Sequence, residues 1–194
     1  MNGVVRIGVT GHRILGEVDK VVVGIAEGIN AVEEAFPGKR LEVVSPLAEG
    51  ADRLVVEEVL KKPGAGLIVP LPLPLSDYLT DFGSAESQAQ FDRLLRRADE
   101  VIELAPHETR EASYEAVGLY VLDHCDVLVA VLDGQGAQGQ GGTGHIVAEA
   151  RMRGLPLVWV HAGNRRPGTV EPTTLGEDQG SLTIERLPRR GERP

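Results

Sequence analysis

Short apolar runs and longer amphipathic stretches alternate along the chain. Runs of strand length, rich in β-branched residues, occur at Val4 to Val9, Leu41 to Val44, Gly66 to Pro70, Val101 to Leu104, Val127 to Leu132 and Leu155 to Val160. Between them, apolar positions recur at helical spacing over Val18 to Ala35, Ala51 to Lys61, Glu86 to Ala98, Glu111 to Asp123 and Thr143 to Arg153. The strand-like runs do not alternate with polar residues; ValLeuValAlaValLeu at 127–132 is apolar throughout. A run of that kind suits a strand covered on both faces, as in a parallel sheet between two helix layers. The pattern therefore predicts an α/β fold, a Rossmann-like, doubly wound and mainly parallel sheet with helices on both faces. It places that domain at residues 1–161. Residues 162–194 read as a C-terminal tail, partly irregular, in which Leu182 to Leu187 alone has the pattern of a last strand.

With 194 residues, 42% of them hydrophobic, the chain is long enough to bury a core without disulfide help. The single cysteine, Cys125, has no internal partner and precedes a buried strand, which fits a reducing compartment. His124 adjoins it, but no second Cys or His stands at ligand spacing, so no metal is expected, and no cofactor. No apolar run reaches membrane-spanning length, and the first residues lead into a strand without a basic and apolar leader. A cytoplasmic protein with no membrane partner is expected.

A net charge of −9 opposes binding to nucleic acid, which depends on Lys and Arg neutralising phosphates. Aromatic residues make up 4% of the chain, too few for a base-stacking platform. A phosphate must then be held locally, by backbone amides and one or two cations.

In open α/β sheets, ligands bind beyond the carboxyl ends of the strands. The first run is followed by Thr10, Gly11, His12 and Arg13; the second by Ser45, Pro46, Leu47, Ala48, Glu49, Gly50, Ala51 and Asp52; the fifth by Asp133, Gly134 and a glycine-rich loop reaching Gly144. Glycine lets backbone amides approach a phosphate closely, and the loop opens into a helix near Thr143 whose free amides favour an anion. Two familiar patterns match this loop only in letters. Gly134, Gly136 and Gly139 satisfy the dinucleotide spacing, yet no acidic residue follows at the distance that would hold a ribose. Gly136 to Thr143 resembles a nucleoside-triphosphatase loop, but Gly142 stands where the lysine belongs. Arg13 is the cation placed for a charge-assisted phosphate contact. His12 is either a second donor or acid/base group, or a packing histidine. Asp52 is either a ligand contact or a first-turn carboxylate complementing the helix dipole. Glu49 lies in the loop itself, where a carboxylate can accept from ribose hydroxyls or act as a base.

Taken together, GlyValThrGlyHisArg, SerProLeuAlaGluGlyAlaAspArgLeu and the AspGlyGlnGly…GlyGlyThrGly loop resemble the SMF/DprA-LOG superfamily of Rossmann-like proteins, over about residues 4 to 161. The second motif is the most specific: Ser45, Ala48, Gly50 and Asp52 are similar to the family's Ser-x-x-Ala-x-Gly-x-Asp. The segment with Tyr78, Asp81 and Phe82 looks like an uncharacterised bacterial branch. The resemblance implies a nucleotide or nucleotide derivative at Thr10 to Arg13, Ser45, Glu49, Gly50, Asp52, Asp133, Gly134, Gly141, Gly142 and Thr143. It also implies a homo-oligomer, for which the helix at Glu111 to Asp123 offers self-complementary surface.

Family members include phosphoribohydrolases that cleave the N-glycosidic bond of a nucleoside monophosphate, proteins that handle single-stranded DNA, and sensors of nucleotide signals. The hydrolase motif Pro-Gly-Gly-x-Gly-Thr-x-x-Glu aligns here through Gly142 and Thr143, but Ile146 takes the place of its glutamate and Glu149 follows one helical turn later. The leading expectation is therefore binding, as sensor or carrier. The alternative is a phosphoribohydrolase using Glu49 or Glu149. The acidic charge and the missing winged-helix domain disfavour the DNA-handling branch.

Overall fold

Alternate residues along the central strands feed two different cores. Val127, Val129 and Val131 pack on one side with Ile25, Ile29 and Val55, whereas Leu128, Ala130 and Leu132 pack on the other with Ile146, Val147 and Ala150. Removing both faces of a strand from water accounts for its unbroken apolar sequence; each fully buried Val, Ile or Leu is worth about 1.5–3 kcal/mol over its exposed state.

The computed structural model describes residues 3–135 and 142–188. Among these residues, one seven-stranded sheet has the order β4-β3-β2-β1-β5-β6-β7. Its strands are β1 (Val4–Gly11), β2 (Arg40–Val44), β3 (Gly66–Leu71), β4 (Glu100–Glu103), β5 (Val127–Leu132), β6 (Leu157–His161) and β7 (Leu182–Glu185). The pairings are parallel except that of β6 with β7. The helices are α1 (Val18–Ala35), α2 (Ala51–Val59), α3 (Leu75–Tyr78), α4 (Ala85–Leu95), α5 (Arg110–Asp123) and α6 (Thr143–Met152). Buried residues of α1, α2 and α4 join the core on one face, and those of α5 and α6 join the cores on the other. This is the doubly wound Rossmann-like architecture that the pattern of apolar runs predicts.

The chain winds outward from β1 through β2, β3 and β4, then returns to pair β5 against the other side of β1. Helices on either side of that reversal depart in opposite directions, which opens a crevice at the carboxyl ends of β1 and β5. Two glycines bring α1 close to the sheet. A side chain at Gly28 would stand 2.7 Å from Val158, and one at Gly24 would meet the backbone of Gly180.

Element ends differ from the periodicity for local reasons. β1 runs on to Gly11 because Thr10 and Gly11 stay in register with Ala130 and Val131 of β5. β6 begins at Leu157 and not Leu155, since the Leu155 amide donates to Ala150 O and closes α6, with Gly154 at φ 70°. α2 and α4 stop early as their last residues tighten into i→i+3 bonds, such as Lys62 N to Val59 O and Arg97 N to Leu94 O. The short α3 and the 3-10 turn at Leu79–Asp81 follow a proline-spaced stretch whose pattern shows no helical period.

Residues 162–188 are tied to the sheet by β7 and by the buried Ala162, Gly163, Gln179 and Gly180, while most of positions 165–178 are exposed. The buried Gln179 amide accepts from Gly163 N (2.9 Å) and Leu175 N (3.0 Å) through Oε1, and donates to Gly16 O (2.7 Å) through Nε2. One side chain thus ties the end of β6, the following loop and the β1–α1 connection together. No helix among the described residues is long and apolar enough to cross a membrane.

Candidate functional site

The carboxyl end of β1 is locked onto the start of α2 through two glycines. At Gly11 a Cβ would collide with Ala51 and lie 2.7 Å from Val131 O; at Gly50, with φ 77°, it would lie 2.6 Å from His12 O. With those atoms absent, Ala51 N donates to His12 O at 3.1 Å and His12 N to Val131 O at 3.0 Å. The bond from Ala51 satisfies a first-turn amide of α2 that has no partner within the helix.

Beneath this junction, Ser45 holds the second motif together. Its Oγ accepts from Leu47 N at 3.0 Å and donates to Asp52 Oδ2 at 2.7 Å. The first bond supports Leu47 in a left-handed conformation (φ 59°), which is uncommon for a residue with a branched side chain. Burial pushes the Asp52 carboxyl up to about 6, against the opposing effects of the Ser45 hydrogen bond and the Arg13 charge.

At the end of β5, Asp133 turns the chain by accepting from Gln135 N through Oδ1 at 3.0 Å. Its own amide donates to His12 Nε2 at 3.1 Å, while Oδ1 lies 3.3 Å from the same nitrogen. Burial lowers the His12 pKa, and Asp133 opposes that shift. A neutral ring accepting at Nε2 carries its proton on Nδ1.

These ends surround a cleft of about 710 Å³. Thr10, Gly11, His12, Arg13, Glu49, Asp52, Asp133, Gly142 and Thr143 line it. Helix α5 supplies a wall through Glu111, Tyr114, Val117, Gly118 and Val121, and α3 supplies Tyr78. Arg13 lies over the Tyr114 ring, 5.4 Å from its centroid, and enters no ion pair among the described residues. The Tyr114 hydroxyl is buried without a hydrogen-bond partner among them. Tyr78, 1% exposed, packs edge-on against Phe82 and Phe91, and burial raises its pKa. Among the described residues, no group of three or more His, Cys, Asp and Glu side chains is arranged to hold a metal ion.

No protein-family model matches the chain, and no curated protein matches it in sequence. The structure is similar to that of DNA processing protein A (DprA) from Streptococcus pneumoniae, with a TM-score of 0.54 at 18% identity over 79% of this chain and 49% of DprA. The likeness is one of fold, a Rossmann-like, mainly parallel α/β sheet. The chain spans about half the length of DprA. The X-ray structure of TM1055, a structural genomics target, is also similar, with a TM-score of 0.47 at 16% identity over 79% of this chain and 72% of TM1055.

Within this fold, four of the residues singled out in the sequence stand apart from the cleft lining. Ser45 is fully buried below it and acts through Asp52. Gly50 lines an adjoining groove with Arg13, Glu49 and Arg53. Gly134, at φ 76°, packs where a Cβ would stand 2.6 Å from the Trp159 ring, so it shapes the turn after β5. Glu149 faces along α6, with Oε2 3.5 Å from Arg153 Nε. Gly141 lies outside the described residues.

Tyr78, Glu111, Tyr114, Asn164 and Arg165 line the cleft without having been singled out. A signal existed for three of the cleft's contacts from α5: Glu111, Tyr114 and Gly118 fall at three- and four-residue spacing, on one helix face. Asn164 and Arg165 arrive from the segment that Gln179 ties down, which no local pattern marks.

Proposed function

We propose that the cleft binds a nucleotide or nucleotide-derived phosphate ligand, the protein acting as sensor or carrier. The observation that carries this reading is the convergence on one cleft of the Arg13 cation, the start of α6 at Gly142 to Gly144, and an aromatic and aliphatic wall from Tyr78, Tyr114 and Val117. A cation and helix amides suit a phosphate, and the wall suits a base. The volume, about 710 Å³, falls in the range of small-molecule sites. DprA is by name a DNA processing protein; here the net charge of −9 supports a small anion over a nucleic acid.

Binding is favoured over N-glycosidic cleavage by the environment of α6. Ile146 is buried against Gly118, and Glu149 is engaged with Arg153 outside the cleft lining. A carboxylate that stabilises charge developing on ribose has to stand beside the sugar, because this form of catalysis depends on preorganised geometry. The proposal includes a homo-oligomer, which light scattering tests directly; a concentration-independent mass of one chain overturns that part.

Thermal shift with a panel of nucleoside mono- and diphosphates tests the site. Gly142 has φ −75°, a conformation open to any residue, so Gly142→Val blocks close approach to the start of α6 without backbone strain. Stabilisation of wild type that Gly142→Val loses is expected. Stabilisation no greater in wild type than in the variant would overturn the reading.

A further inference from the structure

Glu49 is half-buried at the edge of the cleft, and its environment is built by two residues outside the glycine and α6 loops. The Ser87 hydroxyl, in the first turn of α4, donates to Glu49 Oε1. The same Oγ accepts from Arg53 Nη1 at 2.9 Å. Arg53, 1% exposed, also donates through Nη1 to Ser87 O (2.9 Å) and Gln90 Oε1 (3.2 Å) and through Nε to Leu47 O (3.0 Å). Its guanidinium carbon sits 4.6 Å from the Phe82 ring centroid and 5.9 Å from that of Phe91.

The direction of this relay is fixed by chemistry. A guanidinium donates and never accepts, so the Ser87 oxygen that receives it must turn its single proton elsewhere, and that proton goes to Glu49. Ser84 caps α4 by accepting from Ser87 N at 3.1 Å, which holds the serine in place. One carboxylate oxygen is thereby occupied. The other, Oε2, has no hydrogen-bond partner among the described residues, and Glu49 lines the cleft.

A fixed carboxylate accepts hydrogen bonds and repels phosphate, so the ligand group beside Glu49 must carry O–H or N–H donors. We infer that Glu49, positioned by Ser87 and Arg53, receives the vicinal hydroxyls of a ribose and makes the site selective for ribonucleotides over 2′-deoxyribonucleotides. This rests on the reading of the cleft as a nucleotide site and adds the sugar class to it. Two hydroxyls on adjacent carbons match an oriented carboxylate; a 2′-deoxyribose keeps only its 3′-hydroxyl there, so one hydrogen bond to the fixed acceptor is lost.

Calorimetric titration with AMP, GMP, CMP, UMP and their 2′-deoxy counterparts tests the inference. The best-bound ribonucleotide is expected to bind about tenfold more tightly than its deoxy counterpart, the loss that follows from one charge-assisted hydrogen bond. Ser87→Ala should collapse that ratio toward one, and Ser87→Thr, which keeps the hydroxyl, should restore it. A purely structural role for Ser87 predicts equal weakening of both sugars, and that result overturns the inference, as does equal affinity for the two sugars in wild type. Both of those failures leave the cleft reading standing. If no nucleotide of either sugar binds, the cleft reading itself fails and takes the inference with it.

Discussion

Ser45 Oγ donates to Asp52 Oδ2 at 2.7 Å, with Ser45 fully buried and Asp52 5% exposed. The pair ties the end of β2 to the first turn of α2 and holds a carboxyl against the cleft floor. Removing the donor leaves a buried acceptor short of a partner, so Ser45→Ala is expected to cost about 1–3 kcal/mol. Equilibrium urea unfolding measures it, and an unchanged midpoint would show that the pair contributes nothing to stability.

The same carboxyl imposes a pH dependence. Burial raises Asp52 from its ordinary value of 3.8 to about 6. A carboxyl raised on folding favours its protonated form in the folded state. Its contribution is therefore present below pH 3.8 and lost as pH rises through about 6. Asp52→Asn removes that titration. The stability of wild type relative to Asp52→Asn should fall between pH 4 and pH 6.5, by an amount on the order of 2 kcal/mol. Parallel denaturation curves at the two pH values check this, and a constant difference contradicts it.

His12 should titrate in the opposite sense. Burial lowers its pKa below 6.5, and the adjacent Asp133 opposes the shift. A histidine depressed on folding contributes stability above its unfolded pKa, lost as pH falls through the folded one. NMR of the ring nitrogens is expected to show a neutral His12 at pH 7 with the proton on Nδ1. Asp133→Asn should lower the pKa further; a rise would mean that Asp133 does not act on His12 through charge.

The strand runs and the doubly wound, mainly parallel class of sheet were legible in the sequence because burial on both sheet faces leaves an uninterrupted apolar signature, as in Val127 to Leu132. The loops at strand ends were legible for a different reason: Gly11 and Gly50 are demanded by contacts that admit no Cβ. Tyr78 stood out in the sequence only as part of a segment with Asp81 and Phe82 and not as a cleft residue, since it reaches the cleft from a four-residue helix too short to leave a period. Ser87 escaped because it lies 38 residues from Glu49 and 34 from Arg53, contacts that no local pattern carries. Glu149 illustrates the converse. Helical spacing returns it near the face of Ile146, yet its partner is Arg153.

Gln179 supplies a test of how residues 162–188 are held. Its amide satisfies three backbone groups, at Gly163, Leu175 and Gly16. Gln179→Ala orphans them together, a loss on the order of 2–4 kcal/mol if the fold does not rearrange. Hydrogen exchange is the sharper measurement. The Gly163 and Leu175 amides should exchange faster in the variant while those of β5 keep their protection. Unchanged exchange at both amides would show that another contact holds the segment.

The last prediction separates binding from cleavage. A phosphoribohydrolase needs a carboxylate beside the ribose as positive charge develops there, and that benefit is lost when the group is displaced. The position aligned with such a carboxylate holds Ile146, whose side chain fills the space over Gly118, where a Cβ would stand 2.6 Å from Cδ1. Glu149 lies three residues on, about 4.5 Å farther along the helix axis, and is paired with Arg153. Glu49 remains at the cleft, where Ser87 donates to one of its oxygens, and in the proposed reading it orients the sugar. A nucleoside monophosphate should therefore bind without rapid release of free base, as chromatography of the incubated mixture would show. Glu149→Gln should leave affinity for the monophosphate unchanged, whereas Glu49→Gln should weaken it about tenfold, the loss expected for a hydrogen bond to a charged group. Fast base release that disappears in both Glu49→Gln and Glu149→Gln would establish the hydrolase instead, and would require α6 to turn Glu149 away from Arg153 and toward the ligand.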